Sequence, residues 1–153
     1  MALKYPDSDV DFNVTPAYFL GDFDIYDREE SLGEYLNKYD PNDPEQLHKV
    51  LLEIFFEGGR VSKLTVEHKE VLLKSLSSAL KDENYNFQEL VSHENDFDDC
   101  FNLPHEWDFS RPRFFFEEVY RMAVNLWGNE LRDNGFIPLD FREVGVPQGD
   151  SNK

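Results

Sequence analysis

Between residues 111 and 133 the apolar side chains fall on one stripe. Phe115, Phe116, Val119, Tyr120, Ala123, Leu126, Trp127 and Leu131 recur at three- and four-residue spacing, the period of one helix face. A stripe this broad needs cover from several neighbours, so the helix that carries it belongs at the centre of a fold. Ser110 is the expected cap, Pro112 lies in the first turn, and Asn134-Gly135 is a strong stop. The pattern predicts a mainly α protein. We expect a single compact helical domain over residues 1–146, built around this long C-terminal helix with at most a few short strands. Residues 147–153 read as a flexible tail.

Two further helices are well signalled. One spans Pro44 to Glu57, with Asp43 as cap, Pro44 at the tolerated first position and Gln46 completing a capping-box-like pattern. Leu47, Val50, Leu51, Ile54 and Phe55 form its inner stripe, and Gly58-Gly59 ends it, with one of the two expected to be left-handed. The other spans Val66 to Lys81 behind a Thr65 cap, with Leu72, Leu73, Leu76, Ala79 and Leu80 inward. Glu67 and Glu70 come early and Lys74 and Lys81 late, the order that a helix dipole favours. Shorter helices are expected over Glu29–Tyr39 and Asn86–His93. Strand signals are thin: Phe12–Val14 and Tyr18–Leu20 are interrupted by Pro16, and Phe141–Val146 alternates only loosely.

Charge narrows the function. The 153 residues hold 32 acids against 15 Lys plus Arg, a formal net charge of −17. Such a field repels nucleic acid and anionic lipid and attracts basic partners. Aromatic residues make up 15% of the chain, too many for an acidic tail that stays unfolded. The acids concentrate in two segments. Residues 1–45 hold twelve acids and three bases, and residues 82–108 hold nine acids and no Lys or Arg. One cysteine, Cys100, permits no internal disulfide, and neither a secretory leader nor an apolar membrane span is apparent. A cytoplasmic protein is expected.

The motifs of catalysis are missing. His48, His68, His93 and His105 form no zinc spacing, and no Gly-rich phosphate loop or nucleophile elbow occurs. Cys100 lies between His93 and His105 in sequence, but no flanking signature supports a Cys/His nucleophile, and a small apolar thiol is the plainer reading. Asp7-x-Asp9-x-Asp11 copies the opening of a calcium loop. The match fails at Phe12, where glycine is needed, and at Tyr18, where a bidentate glutamate is needed. No catalytic residue, metal or cofactor is expected.

What remains is a contact surface. Glu94, Asp96, Asp98 and Asp99 form the densest acidic patch, interleaved with Phe97, an aromatic that could anchor a partner. Asp22, Asp24 and Asp27 are the second acidic candidates. The bland alternative is a solvated loop with Phe97 turned into the core.

Leu103-Pro104-His105-Glu106-Trp107, followed by Arg111-Pro112-Arg113-Phe114-Phe115-Phe116 and then Tyr120 and Trp127, resembles the C-terminal region of bacterial contact-dependent growth inhibition immunity proteins. The resemblance covers residues 103–127. It implies a small cytoplasmic protein that binds and blocks a toxin domain delivered by a neighbouring cell, often a nuclease. The matched residues carry structural roles: Trp107 as a core plug, Pro112 as a helix start, the Phe run as core. They do not mark the toxin-binding face.

Charge and resemblance converge on one expectation. The partner is the cognate toxin C-terminal domain, a basic nuclease whose polyphosphate-binding cleft an acidic surface can cover. A DNA-mimic or anti-restriction protein is the first alternative, although a near-neutral helix pair between the acidic segments argues against it. An enzyme of unknown type is the second, and an acidic adaptor for a basic partner without toxicity the third. The expected core comprises Leu51, Ile54, Leu72, Leu76, Trp107, Phe115, Val119, Ala123 and Trp127.

Overall fold

The computed structural model describes residues 3–5, 8–12, 14–24, 29–88, 107 and 109–146. It is mainly helical. In chain order come a 3-10 segment (Pro16–Phe23), a wide turn (Glu29–Gly33) running into α1 (Glu34–Leu36), α2 (Pro44–Val50) with a wide continuation (Leu51–Phe56), α3 (Gly59–Ser62), α4 (Val66–Lys81) and α5 (Pro112–Asp133). Among the described residues, strand pairing is limited to one antiparallel bridge between Lys4 and Asp11. The expected Glu29–Tyr39 helix is thus shorter and mixed in winding, and most of the expected Asn86–His93 helix lies outside the described residues.

The central element is α5. Phe115, Phe116, Val119, Tyr120, Ala123, Trp127 and Leu131 are all buried along it, as the stripe requires. α4 packs on it most extensively and α2 packs beside it. The stop at its far end follows the glycine-dependent pattern: Gly135 has φ +90°, Phe136 N–H reaches the Leu131 carbonyl at 2.9 Å, and Gly135 N–H reaches that of Arg132 at 3.1 Å. The start differs from expectation. Proline opens the helix, so Arg111 stands at the cap position and makes no side-chain cap bond. Ser110, one residue too early to cap, instead donates from its N–H and its hydroxyl to Asn42 Oδ1, each at 3.1 Å. Leu126, expected on the buried stripe, is 50% exposed.

The α2 start matches its sequence signal in part. Asp43 accepts from Glu45 N–H at 3.1 Å. Gln46 donates to Asp43 Oδ2 but receives its own backbone bond from Asp40 N–H at 2.8 Å, one turn upstream of where a capping box would close. Beyond Val50 the winding widens, with Glu57 N–H bonding to the Leu52 carbonyl five residues back at 2.8 Å. The wider turn explains one error of periodicity. It sets Leu51 and Phe55 together on the inner face, both 0% exposed, and rotates Ile54 partly outward. Neither glycine at its end turns left-handed: positive φ among the described glycines falls at Gly135 and Gly145, and Gly59 opens α3. Gly58 is required for space, since a Cβ there would collide with the Ile54 carbonyl oxygen.

The start of α4 holds a feature that the sequence reading missed. Thr65 Oγ1 accepts from His68 N–H at 3.3 Å, and His68 Nδ1 accepts from Thr65 N–H at 3.1 Å. A histidine therefore closes the capping box that a glutamate usually closes. With Nδ1 accepting, Nε2 carries the proton and donates to the Lys4 carbonyl at 2.6 Å. The buried His68 ring also meets Phe12 edge-on at 4.6 Å. This one imidazole pins the N-terminal bridge onto α4.

One continuous apolar core runs from Phe12 through Trp107 to Val146. Of the expected core residues, Leu51, Leu72, Leu76, Trp107, Phe115, Val119, Ala123 and Trp127 are buried.

Candidate functional site

The acids of this chain divide into three groups by what they touch. The first is interior. Glu117 and Glu118, adjacent on α5, are 3% and 4% exposed, and a buried carboxylate is tolerable only when paired. Glu117 Oε2 accepts from Arg113 Nε at 2.7 Å, and Arg111 lies 3.5 Å from its other oxygen. Arg113 then donates to the Leu80, Val144 and Gly145 carbonyls at 2.9, 3.0 and 3.2 Å. One guanidinium thus ties the end of α4 and the C-terminal turn to α5. Glu118 Oε1 meets His48 Nε2 at 2.5 Å, and its Oε2 accepts from Arg121 at 3.2 Å. These two acids are committed to the fold and offer nothing to a partner. The sequence signal was present, as two glutamates on an apolar stripe with arginines four residues before and three after.

Glu118 has a pH consequence. Burial alone would push its carboxyl up, but the His48 and Arg121 hydrogen bonds and the charges behind them outweigh burial and hold it below the ordinary 4.5. The folded state therefore binds its proton less readily than the unfolded chain. The pair's contribution is fully present above about pH 4.5 and is lost as pH falls through the folded value. Acid denaturation followed by circular dichroism should show a steeper loss in wild type than in Glu118→Gln, whose acid limb should be flatter although its neutral-pH stability is lower. Parallel acid limbs would remove Glu118 from the account.

The second group closes backbone turns. Asp40 accepts from Asn42 N–H, Asp82 from Asn84 N–H and Asp140 from Arg142 N–H, at 2.9, 2.9 and 3.1 Å, the short-range bonding for which Asp suits turns. Asp11, from the rejected calcium-loop pattern, pairs with Lys4 at 2.5 Å.

The third group comprises the acids predicted to meet a partner. Asp22 and Asp24 sit half-buried at the end of the 3-10 segment, less available than a surface loop would make them. Asp27, Glu94, Asp96, Phe97, Asp98 and Asp99 lie outside the described residues, as do Cys100, His93 and His105. Among the described residues, Asp22 and Asp24 are thus the predicted contact residues that the structure places. Exposed acids that it does place include Glu45, Glu53, Glu57, Glu67, Glu83 and Asp133.

The described residues line open clefts. One of about 280 Å³ lies between Val14–Pro16 and the Ser75 face of α4, where Ser75 Oγ donates to the Val14 carbonyl. Another of about 480 Å³ lies between Lys38 and Lys49, over Tyr39, Asp43 and Gln46. Neither lining sets a nucleophile beside a histidine base. Among the described residues no group of three His, Cys, Asp or Glu side chains could hold a metal ion. No described helix is long and apolar enough to cross a membrane. Compared with known proteins, the chain matches no family model, no curated protein and no solved structure.

Proposed function

We propose that this chain is an immunity protein: it binds a cognate bacterial toxin domain, a basic nuclease, and covers its active-site cleft with an acidic surface. The observation that carries the reading is the net charge of −17 on a folded helical chain. It is sharpened by the pairing of two of the acids. The buried Glu117 and Glu118 are matched by Arg113 and Arg121 beside them, so the net charge comes from the other acids. A nuclease cleft must attract polyphosphate and is basic, so complementary charge speeds the encounter and carboxylates occupy the phosphate positions. The resemblance over residues 103–127 points the same way.

The segment between residues 82 and 108, with nine acids and no Lys or Arg, is the proposed centre of contact. The protein acts by occupancy and has no catalytic residue, cofactor or metal of its own. The test is co-purification with, and inhibition of, a basic nuclease toxin domain supplied as the candidate partner. Stoichiometric binding at nanomolar affinity and abolished cleavage are expected. Full nuclease activity in the presence of excess protein would overturn the proposal.

A further inference from the structure

Charge steers a partner, but a tight protein interface also needs a buried apolar anchor. The described surface offers one pairing of exposed large aliphatics on neighbouring elements. Leu52 is 37% exposed on the wide turn after α2, and Leu126 is 50% exposed on α5. The two elements run side by side in the same direction. His48 meets Glu118 at 2.5 Å near one end, and the Phe56 and Trp127 rings lie 5.4 Å apart near the other. Eight residues of one element therefore run alongside nine of the other, which sets Leu52 level with Met122 and one turn short of Leu126.

The cause of the exposure is local. Phe115, Val119, Met122 and Leu126 step along one face of α5 at four- and three-residue spacing. The helix of α2 covers the first part of that face. Its wide continuation ends at Phe56, and its winding turns Leu52 and Glu53 outward. The α5 face thus outruns its cover, and an apolar strip is left at the crease.

We propose that the Leu52–Leu126 crease is a docking surface for the apolar anchor of a basic protein partner. This inference rests on the immunity reading and adds the second half of its interface. Charge complementarity selects the occupant. Glu53 and Glu57 flank Leu52 and are exposed. One turn beyond Leu126, Glu130 and Lys69 balance each other at 2.7 Å, with Lys69 also over the Trp127 ring at 5.6 Å, so the acidic side of the rim is Glu53 and Glu57. Glu53 is held in place by the Tyr35 hydroxyl at 2.5 Å, so part of the rim is fixed before binding. A second copy is a poor occupant, because it would bring another −17 to the contact.

The test uses a synthetic amphipathic helix of lysine and leucine, a control peptide in which every leucine is serine, and the full chain. At about 0.15 M salt, wild type should bind the leucine peptide about tenfold more tightly than the serine control. Leu52→Ser/Leu126→Ser should erase that preference while leaving the circular dichroism spectrum unchanged. Both side chains are already exposed, and Leu126→Ser alone provides a milder variant showing part of the same loss. Equal binding of the two peptides by wild type, or an undiminished preference in the double variant, would overturn the proposal. Concentration-dependent dimerisation of wild type that the double variant abolishes would also overturn it, by naming a second copy as the occupant. An undiminished leucine preference in a wild type that fails to inhibit the nuclease would sink the immunity reading and leave this surface standing.

Discussion

Replacing Trp107 with alanine is expected to destabilise the protein by about 3–5 kcal/mol, read as a lower midpoint in urea at an unchanged slope. The ring is 1% exposed and packs on Phe23 and Phe109, with centroids 5.5 and 6.0 Å away. Its Nε1–H donates to the Leu36 carbonyl at 2.8 Å. That bond matters because Leu36 ends α1, so the indole closes the helix and fills the space beneath it. Alanine would leave a cavity and take one of two donors from the Leu36 carbonyl, which keeps its bond from Tyr39 N–H at 2.9 Å. Trp107→Phe separates the two: most of the volume is kept and one hydrogen bond is lost, for an expected cost of about 0.5–1.5 kcal/mol. A loss under about 1 kcal/mol for alanine would show that the site collapses freely and that Trp107 is no plug.

Removing the Arg113 guanidinium should have a comparable effect. Arg113→Ala strands Glu117, which is 3% exposed, with only the outlying Arg111 to balance it, and it strips a donor from the Leu80, Val144 and Gly145 carbonyls. Breaking a buried pair from one side costs about 3–5 kcal/mol, whereas replacing both partners with apolar groups costs far less. Arg113→Met with Glu117→Leu should therefore be more stable than Arg113→Ala alone, as measured by thermal unfolding. Equal stability of the two variants would mean that the three carbonyl bonds, lost in both, dominate and that stranding Glu117 costs little.

These two sites also mark what was legible in the sequence. The stripe of α5, the Thr65 cap and the Asn134-Gly135 stop follow from local spacing, and local spacing is read directly from a chain. The misses are of another kind. Ile54 packs at the edge of the core, only partly buried, because the turn after Val50 is wound wider than an α-helix, and no period of 3.6 anticipates that. Ser110 lost its cap because Pro112 fixes the first turn one residue later. His68 and His48 were read only against metal and catalytic patterns. Each instead bonds a residue distant in sequence, Lys4 in one case and Glu118 in the other. Glu117 and Glu118 enter the net charge like any other acid, because composition does not reveal which acids turn inward. The acidic contact residues were chosen from charge density, and density places a patch along the chain without fixing its shape.

The base-free acidic segment between residues 82 and 108 is the proposed contact. The most direct measurement is the association rate of the cognate basic nuclease domain with Asp96→Asn/Asp98→Asn/Asp99→Asn, across a range of salt concentrations. A single exposed pair contributes little, so the cluster must change together. The account expects wild-type association to slow markedly once salt brings the Debye length to about 8 Å and below. In the folded triple variant it expects a slower rate at low salt, a flatter salt dependence and at least partial loss of nuclease protection. A triple variant that folds, binds with the wild-type rate and salt dependence, and protects fully would contradict it.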